Sequence, residues 1–144
     1  MSKPSIPALP CMCASFRRAS RALTQRYDEA MRPLGLTGTQ FTILQVLTLT
    51  GEIPQGKLGE ILAMDSTTLT RTLKIISRHG WIATRRGKDR RERWLRLSPS
   101  GEAEFRRARP HWERAQEQTR AQLGDKRWKT LMNLINEVTA VVAE

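Results

Sequence analysis

Cysteine, histidine, tyrosine and acid are all scarce in this chain. Its 144 residues include two Cys, two His, one Tyr and 14 Asp/Glu. Cys11 and Cys13 are too few for a disulfide scaffold, and without an export signal they are expected as reduced thiols in a cytoplasm. Neither His79 nor His111 stands in a metal-ligand spacing with them, so no metal and no cofactor is expected. No apolar run nears the roughly 18 residues that would span a bilayer. The opening MSKPSIPALP lacks the apolar core of a secretory signal. Its prolines at every third position predict a flexible arm over residues 1–10. No paired-carboxylate site, nucleophile–base constellation or phosphate-cradling glycine loop is visible, which argues against an enzyme.

Positive charge is abundant. Lys and Arg number 25, giving a formal +11, and the excess is localised. Residues 71–97 alone carry +8, against +2 before them and +1 after. A basic block between two nearly neutral regions marks where a polyanion would dock. An interfacial membrane helix would need one long apolar face opposite the charge. This block is instead half helix and half ribbon, so double-stranded DNA is the expected partner and a membrane is not.

Six helices and one hairpin are predicted. Cys13–Met31 places Phe16, Leu23, Tyr27 and Ala30 on one stripe. Thr37-Gly38-Thr39-Gln40 has the form of a capping box and opens a helix to about Leu49, with Phe41, Leu44 and Leu47 inward. Pro54 opens a short helix containing Leu58, Ile61 and Leu62. Asp65 or Ser66 then caps a helix to about His79, stopped by Gly80. Two helices so closely spaced suit a helix-turn-helix. Trp81–Arg85 and Arg93–Leu97 alternate as strands around the polar turn Arg86–Glu92. Ser98-Pro99-Ser100-Gly101 leads into a charged helix, roughly Gly101–Gln122, and a last helix runs from Gly124-Asp125 to about Ala143. In that last helix Trp128, Leu131, Ile135, Val138 and Val142 step by three and four, a seam that suits packing on the chain's own helices or burial against a second subunit in a homodimer.

Within the helix after Asp65, Leu69, Leu73 and Ile76 form the inward stripe. The opposite side carries Ser66, Thr67, Thr68, Thr70 and Arg71 near the start, where base edges would be read. Lys74 and Arg78 follow where phosphates would lie. In the ribbon, Asp89 is expected to pair with a neighbouring arginine and brace the tip for the minor groove, with Arg90 and Arg91 beside it. Arg85, Arg86, Lys88 and Arg93 would grip phosphates.

The run Leu58-Gly59-Glu60-Ile61-Leu62-Ala63-Met64-Asp65-Ser66-Thr67-Thr68-Leu69-Thr70-Arg71 resembles the MarR family of bacterial transcription regulators. Asp89-Arg90-Arg91 and Leu95-Arg96-Leu97-Ser98-x-x-Gly101 extend the likeness. Gly59 stands where the family usually has Ala, and Ala63 where it usually has the turn Gly. The resemblance implies a mainly α (α+β) fold, a winged helix-turn-helix with flanking dimerisation helices. It divides a single domain over 11–144 into helical dimerisation regions, 11–50 and 101–144, around a winged part, 51–100. It further implies a homodimeric repressor on a palindromic operator, released by a small molecule or an oxidant. The wing acid would be Asp89 and the minor-groove arginine Arg91.

In the hydroperoxide-sensing branch a reactive Cys opens the first helix and a Tyr bonds its sulfur. Those positions fall on Cys13 and Tyr27, with Cys11 adjacent and Arg17 where a second Tyr is expected. A helix N-terminus and Arg17 one turn on would favour the oxidisable thiolate. A small aromatic or anionic effector, held near Arg17, Arg21 and Tyr27, is the other expected signal. Two further readings remain open: a non-specific architectural DNA binder, and a winged-helix module that docks on an acidic protein.

Overall fold

A computed structural model describes residues 5–143. The elements are α1 (Met12–Met31), a 3-10 turn (Arg32–Leu34), α2 (Gly38–Thr50), β1 (Ile53–Pro54), α3 (Gln55–Leu62), α4 (Ser66–Arg78), β2 (Ile82–Arg86), β3 (Arg93–Leu97), α5 (Pro99–Leu123) and α6 (Asp125–Val142). The fold is mainly helical with one small antiparallel sheet, strand order β1-β3-β2. Four residues of the expected N-terminal arm lie outside the described residues. In the rest of it Arg18 Nη1 donates to the Pro7 carbonyl (2.8 Å) and Ser15 Oγ to that of Leu9 (3.1 Å).

Local chemistry accounts for the helix ends. Thr37 and Gln40 form the full capping box of α2, each side chain accepting from the other's backbone amide at 3.1 Å. Ser98 caps α5 by accepting from the Gly101 amide, and Pro99 takes the first helical position, where its missing N–H costs nothing. The core is built around α2. Phe41, 1% exposed, stacks with Phe105 (5.5 Å between centroids) and Trp112 (5.8 Å) of α5. Burial of such a side chain stabilises by about 1.5–3 kcal/mol. Leu58, Leu69, Leu73, Ile76, Leu95 and Leu97 continue this core beneath the helix-turn-helix and the sheet.

Three expectations change. The first long strand begins at Ile82, because Trp81 is a buried plug stacked on His79 at 4.2 Å. A two-residue strand, β1, adds to the hairpin with Ile53 opposite Leu95 and Pro54 opposite Trp94. Ile61, expected inward, is 46% exposed.

The two terminal helices leave apolar surface uncovered. On α1 only Met31 is fully buried, and Phe16 and Leu23 are exposed. On α6 nothing is fully buried; Trp128, Ile135 and Val138 are half-covered, and Leu131 and Val142 are exposed.

Candidate nucleic-acid interface

The α3–α4 turn sets the basic helix. Ala63 takes a left-handed conformation (φ 51°), and the amides of Ala63 and Met64 close the end of α3 onto Glu60 and Gly59. The turn that usually carries Gly is therefore formed with Ala. Asp65 then caps α4: Oδ1 accepts from the Thr68 amide (2.8 Å) and Oδ2 from the Thr68 hydroxyl (2.7 Å). The amide bond from Thr68, and then its hydroxyl, hold the Asp65 carboxyl below its usual range.

Leu69, Leu73 and Ile76 bury the inner stripe of α4. Ser66, Thr67, Thr70, Arg71 and Lys74 line one open depression on the outer surface. Arg78 is exposed in the last turn, where a cation also complements the helix dipole. Thr68 departs from the expected reading set, since its hydroxyl is committed to Asp65. Gln55, absent from that set, opens α3 and donates through Nε2 to the Thr70 hydroxyl at 3.3 Å. Its only signal in the sequence was its place directly after Pro54.

The ribbon has two faces. Its register pairs Ile82 with Leu97, Thr84 with Leu95, Arg85 with Trp94 and Arg86 with Arg93. Alternation therefore puts Arg86 and Arg93 on the face carrying Thr84 and Leu95, and Arg85 on the opposite one. Thr84 and Arg93 border a crevice with Thr70 and Lys74 of α4. Arg85 turns away from α4. It lies over the Trp94 ring (4.8 Å) and bonds Glu52 Oε1 through Nε (2.8 Å) and Nη2 (2.6 Å). That arginine in turn holds the Glu52 carboxyl below its usual range.

At the wing tip the Gly87 amide donates to the Glu92 carbonyl (2.8 Å) and the Glu92 amide to that of Asp89 (3.0 Å). Asp89 Oδ1 accepts from the backbone amide of Arg91 (3.0 Å). This corrects the expected ion pair: the acid braces the turn through the main chain, as a short side chain reaching two residues on does. The guanidinium of Arg91 stays exposed, as do Lys88 and Arg90. Arg91 and Arg93 border a broad groove whose other wall is Gln55, Asp65 and Ser66, joining the wing to the start of α4.

The suggested redox set does not assemble within one chain. Cys13 and Arg17 are exposed, and Cys11 is the N-cap of α1, its Sγ accepting from the Ala14 amide at 3.5 Å. Tyr27 lies about 21 Å further along the same helix. Its hydroxyl donates to Gln116 of α5, and burial raises its pKa. Arg21 is exposed. Among the described residues no group of three His, Cys, Asp or Glu side chains is placed to hold a metal ion, and no helix is long and apolar enough to cross a membrane.

Comparison with known proteins agrees with this geometry. The MarR family model matches residues 36–92. The chain is 28% identical over 90 residues to the uncharacterized HTH-type transcriptional regulator YwoH of Bacillus subtilis (strain 168). That match covers 62% of this chain and 66% of YwoH, just under two thirds of the relative's length. The solved structure of the M. tuberculosis transcriptional regulator MosR in complex with DNA is 34% identical, with a TM-score of 0.79 over 92% of this chain and 98% of MosR. A probable transcriptional regulator from Pseudomonas aeruginosa is 27% identical, with a TM-score of 0.80 over 90% of this chain and 97% of that one. The chain belongs to the MarR family, a family of transcription regulators and not of enzymes.

Proposed function

We propose that the protein is a cytoplasmic, homodimeric repressor that reads a palindromic operator in double-stranded DNA. The observation that carries this reading is the shared outer surface of α4 and the wing. Ser66, Thr67, Thr70, Arg71 and Lys74 stand exposed on one, and Arg91 on the other, with one groove between the wing and the α4 start. Hydroxyls and a forked guanidinium suit base edges in a major groove, and an arginine on a narrow ribbon suits a minor groove. MosR, the relative of highest quoted identity, has been solved with DNA.

Uncovered apolar surface supports the dimer. Leu131, Leu134 and Val142 on α6 and Met12 and Phe16 on α1 are each at least 40% exposed. Surface of this kind is buried in an isologous interface. Two winged units must then sit about 34 Å apart to occupy successive major grooves. A signal that favours another spacing by about 1–3 kcal/mol weakens binding 5–150-fold. The proposed signal is a small aromatic or anionic effector near Arg17, Arg21 and Tyr27, or oxidation at Cys13 beside Cys11. A Cys13→Ser protein whose peroxide response is unchanged would remove the oxidant.

Selection of bound duplexes from a random pool tests the main reading. Inverted half-sites about 10 bp apart, centre to centre, are expected. Equal retention of scrambled duplexes, with affinity governed by salt alone, would make this an architectural binder. Failure to retard any duplex at low salt would favour docking on an acidic protein.

A further inference from the structure

Glu52 immediately precedes β1, and its side chain reaches across the sheet. The β1–β3 register, Ile53 to Leu95 and Pro54 to Trp94, brings Glu52 level with Arg96, on the same face as Trp94 and Arg85. Its Oε2 lies 3.9 Å from Arg96 Nε, and its Oε1 takes both bonds from Arg85 on β2. One carboxylate thus spans the central strand and ties β1 to β2 on the face turned away from α4.

The tie continues toward the wing tip. Arg85 lies on the Trp94 indole, and Trp94 closes on the turn. A Cβ placed on Gly87 would stand 2.8 Å from Trp94 Nε1 and 2.5 Å from Glu92 Oε2. Beyond that contact the turn is held by the Gly87–Glu92 and Asp89–Arg91 bonds. The sequence of contacts runs from Glu52 through Arg85 and Trp94 to Gly87 and then to Arg91.

We propose that Glu52 is a positioning residue that orients the wing, and with it Arg91, for operator recognition. This rests on the DNA-binding reading above. Glu52 touches no base in this scheme and acts only through Arg85 and Trp94. An acid within a face that carries Arg85 and Arg96 is a cost to phosphate binding, so simple electrostatics makes a definite forecast. Neutralising it should tighten binding to every DNA. Positioning makes the opposite forecast for the operator alone.

The test uses the full chain, the Glu52→Gln and Arg85→Met variants, and the operator recovered by selection. Glu52→Gln is expected to lose about 5–20-fold in operator affinity despite its extra net positive charge, the size expected of a modest site coupling. Binding to an unrelated duplex should hold or rise slightly. Arg85→Met should reproduce the operator loss. In an Arg91→Ala background Glu52→Gln should change operator affinity by less than about twofold, since coupled residues do not add. Amide exchange at residues 87–91 should quicken in free Glu52→Gln protein.

Operator binding that is unchanged or tighter in Glu52→Gln overturns the proposal. So does an undiminished loss in the Arg91→Ala background, which would mean a general structural role. Should the wild-type protein fail to prefer any duplex, the DNA reading falls by that result. Exchange at the tip then decides Glu52 separately: quickened exchange supports a wing tie, and unchanged exchange removes it.

Discussion

A side chain on Gly101 would overlap the main chain at Trp81: its Cβ would lie 1.9 Å from the Trp81 carbonyl oxygen. That oxygen also accepts from the Ser98 amide at 2.9 Å, and Ser98 Oγ donates to the Gly80 carbonyl at 2.5 Å. The start of α5 is therefore pressed directly onto the segment that ends α4 and begins β2. Gly101→Ala should destabilise by about 3 kcal/mol, because backbone has to move and overpacking outweighs the small helix-propensity gain. Urea unfolding measures this, and a neutral or stabilised variant would contradict the close approach.

Ala63 is the reverse case. It is the one non-glycine residue with positive φ among the described residues, and it is exposed. A left-handed L-residue costs about 1–2 kcal/mol, part of which Gly returns through its greater freedom when unfolded. Ala63→Gly should raise stability by about 0.5–1 kcal/mol. A lower thermal midpoint would show that the methyl group makes a stabilising contact.

The Asp65 cap should make stability depend on pH. Its carboxyl is held below the usual range in the folded protein, so the folded state prefers it ionised. The stabilisation is fully present above the ordinary carboxylate range and is lost as pH falls through the lowered pKa. Asp65→Asn keeps an acceptor but not the charge. The stability gap between wild type and this variant should shrink on acidification, and a gap constant with pH would rule the charge out.

Much of this was readable without coordinates, for identifiable reasons. The Thr37–Gln40 box and the polar and apolar sides of α4 are local patterns of known period, and they appear as expected. The direction of Arg85 follows from alternation, which sets it on the face opposite Ile82 and Thr84 wherever the strand begins; the start itself lies one residue later than expected. What displaced it was Trp81, whose strand-like character is spent on burial. Glu52 and Gln55 were hidden for another reason. Their partners, Arg85 and Thr70, lie 33 and 15 residues away, and only strand pairing and helix packing bring them near. Asp89 belongs to the turn in sequence and structure alike, but its partner is the Arg91 amide and not a guanidinium, a difference of group within one residue that sequence does not express.

Arg91→Ala should weaken operator binding by about 1–3 kcal/mol, the size of one good base contact. Its guanidinium is exposed and has no hydrogen bond or ion pair among the described residues, so the oligomeric state and thermal midpoint should stay unchanged. Fluorescence anisotropy with labelled operator reads the loss, and wild-type affinity would exclude groove entry by the wing.

Replacing Leu131 and Val138 together with Glu should yield monomers that no longer hold the operator. Both lie on the incompletely covered side of α6. Sedimentation separates the states, and a surviving dimer would move the interface elsewhere.

The 25-residue α5 has its two ends engaged differently. Its first turn is locked at Trp81 and Gly80, while Gln116, Thr119 and Gln122 bond Tyr27 and Arg26 of α1. From Gln116 back to Gly101 is about 22 Å of one continuous helix, across which Pro110 removes a single backbone hydrogen bond. A tilt of about 10° at the α1 end therefore sweeps the winged end through roughly 4 Å, slightly more than the 3.4 Å rise of one base pair. In a dimer, a rearrangement among a few polar side chains far from DNA would be geared up into a register error of a whole base step.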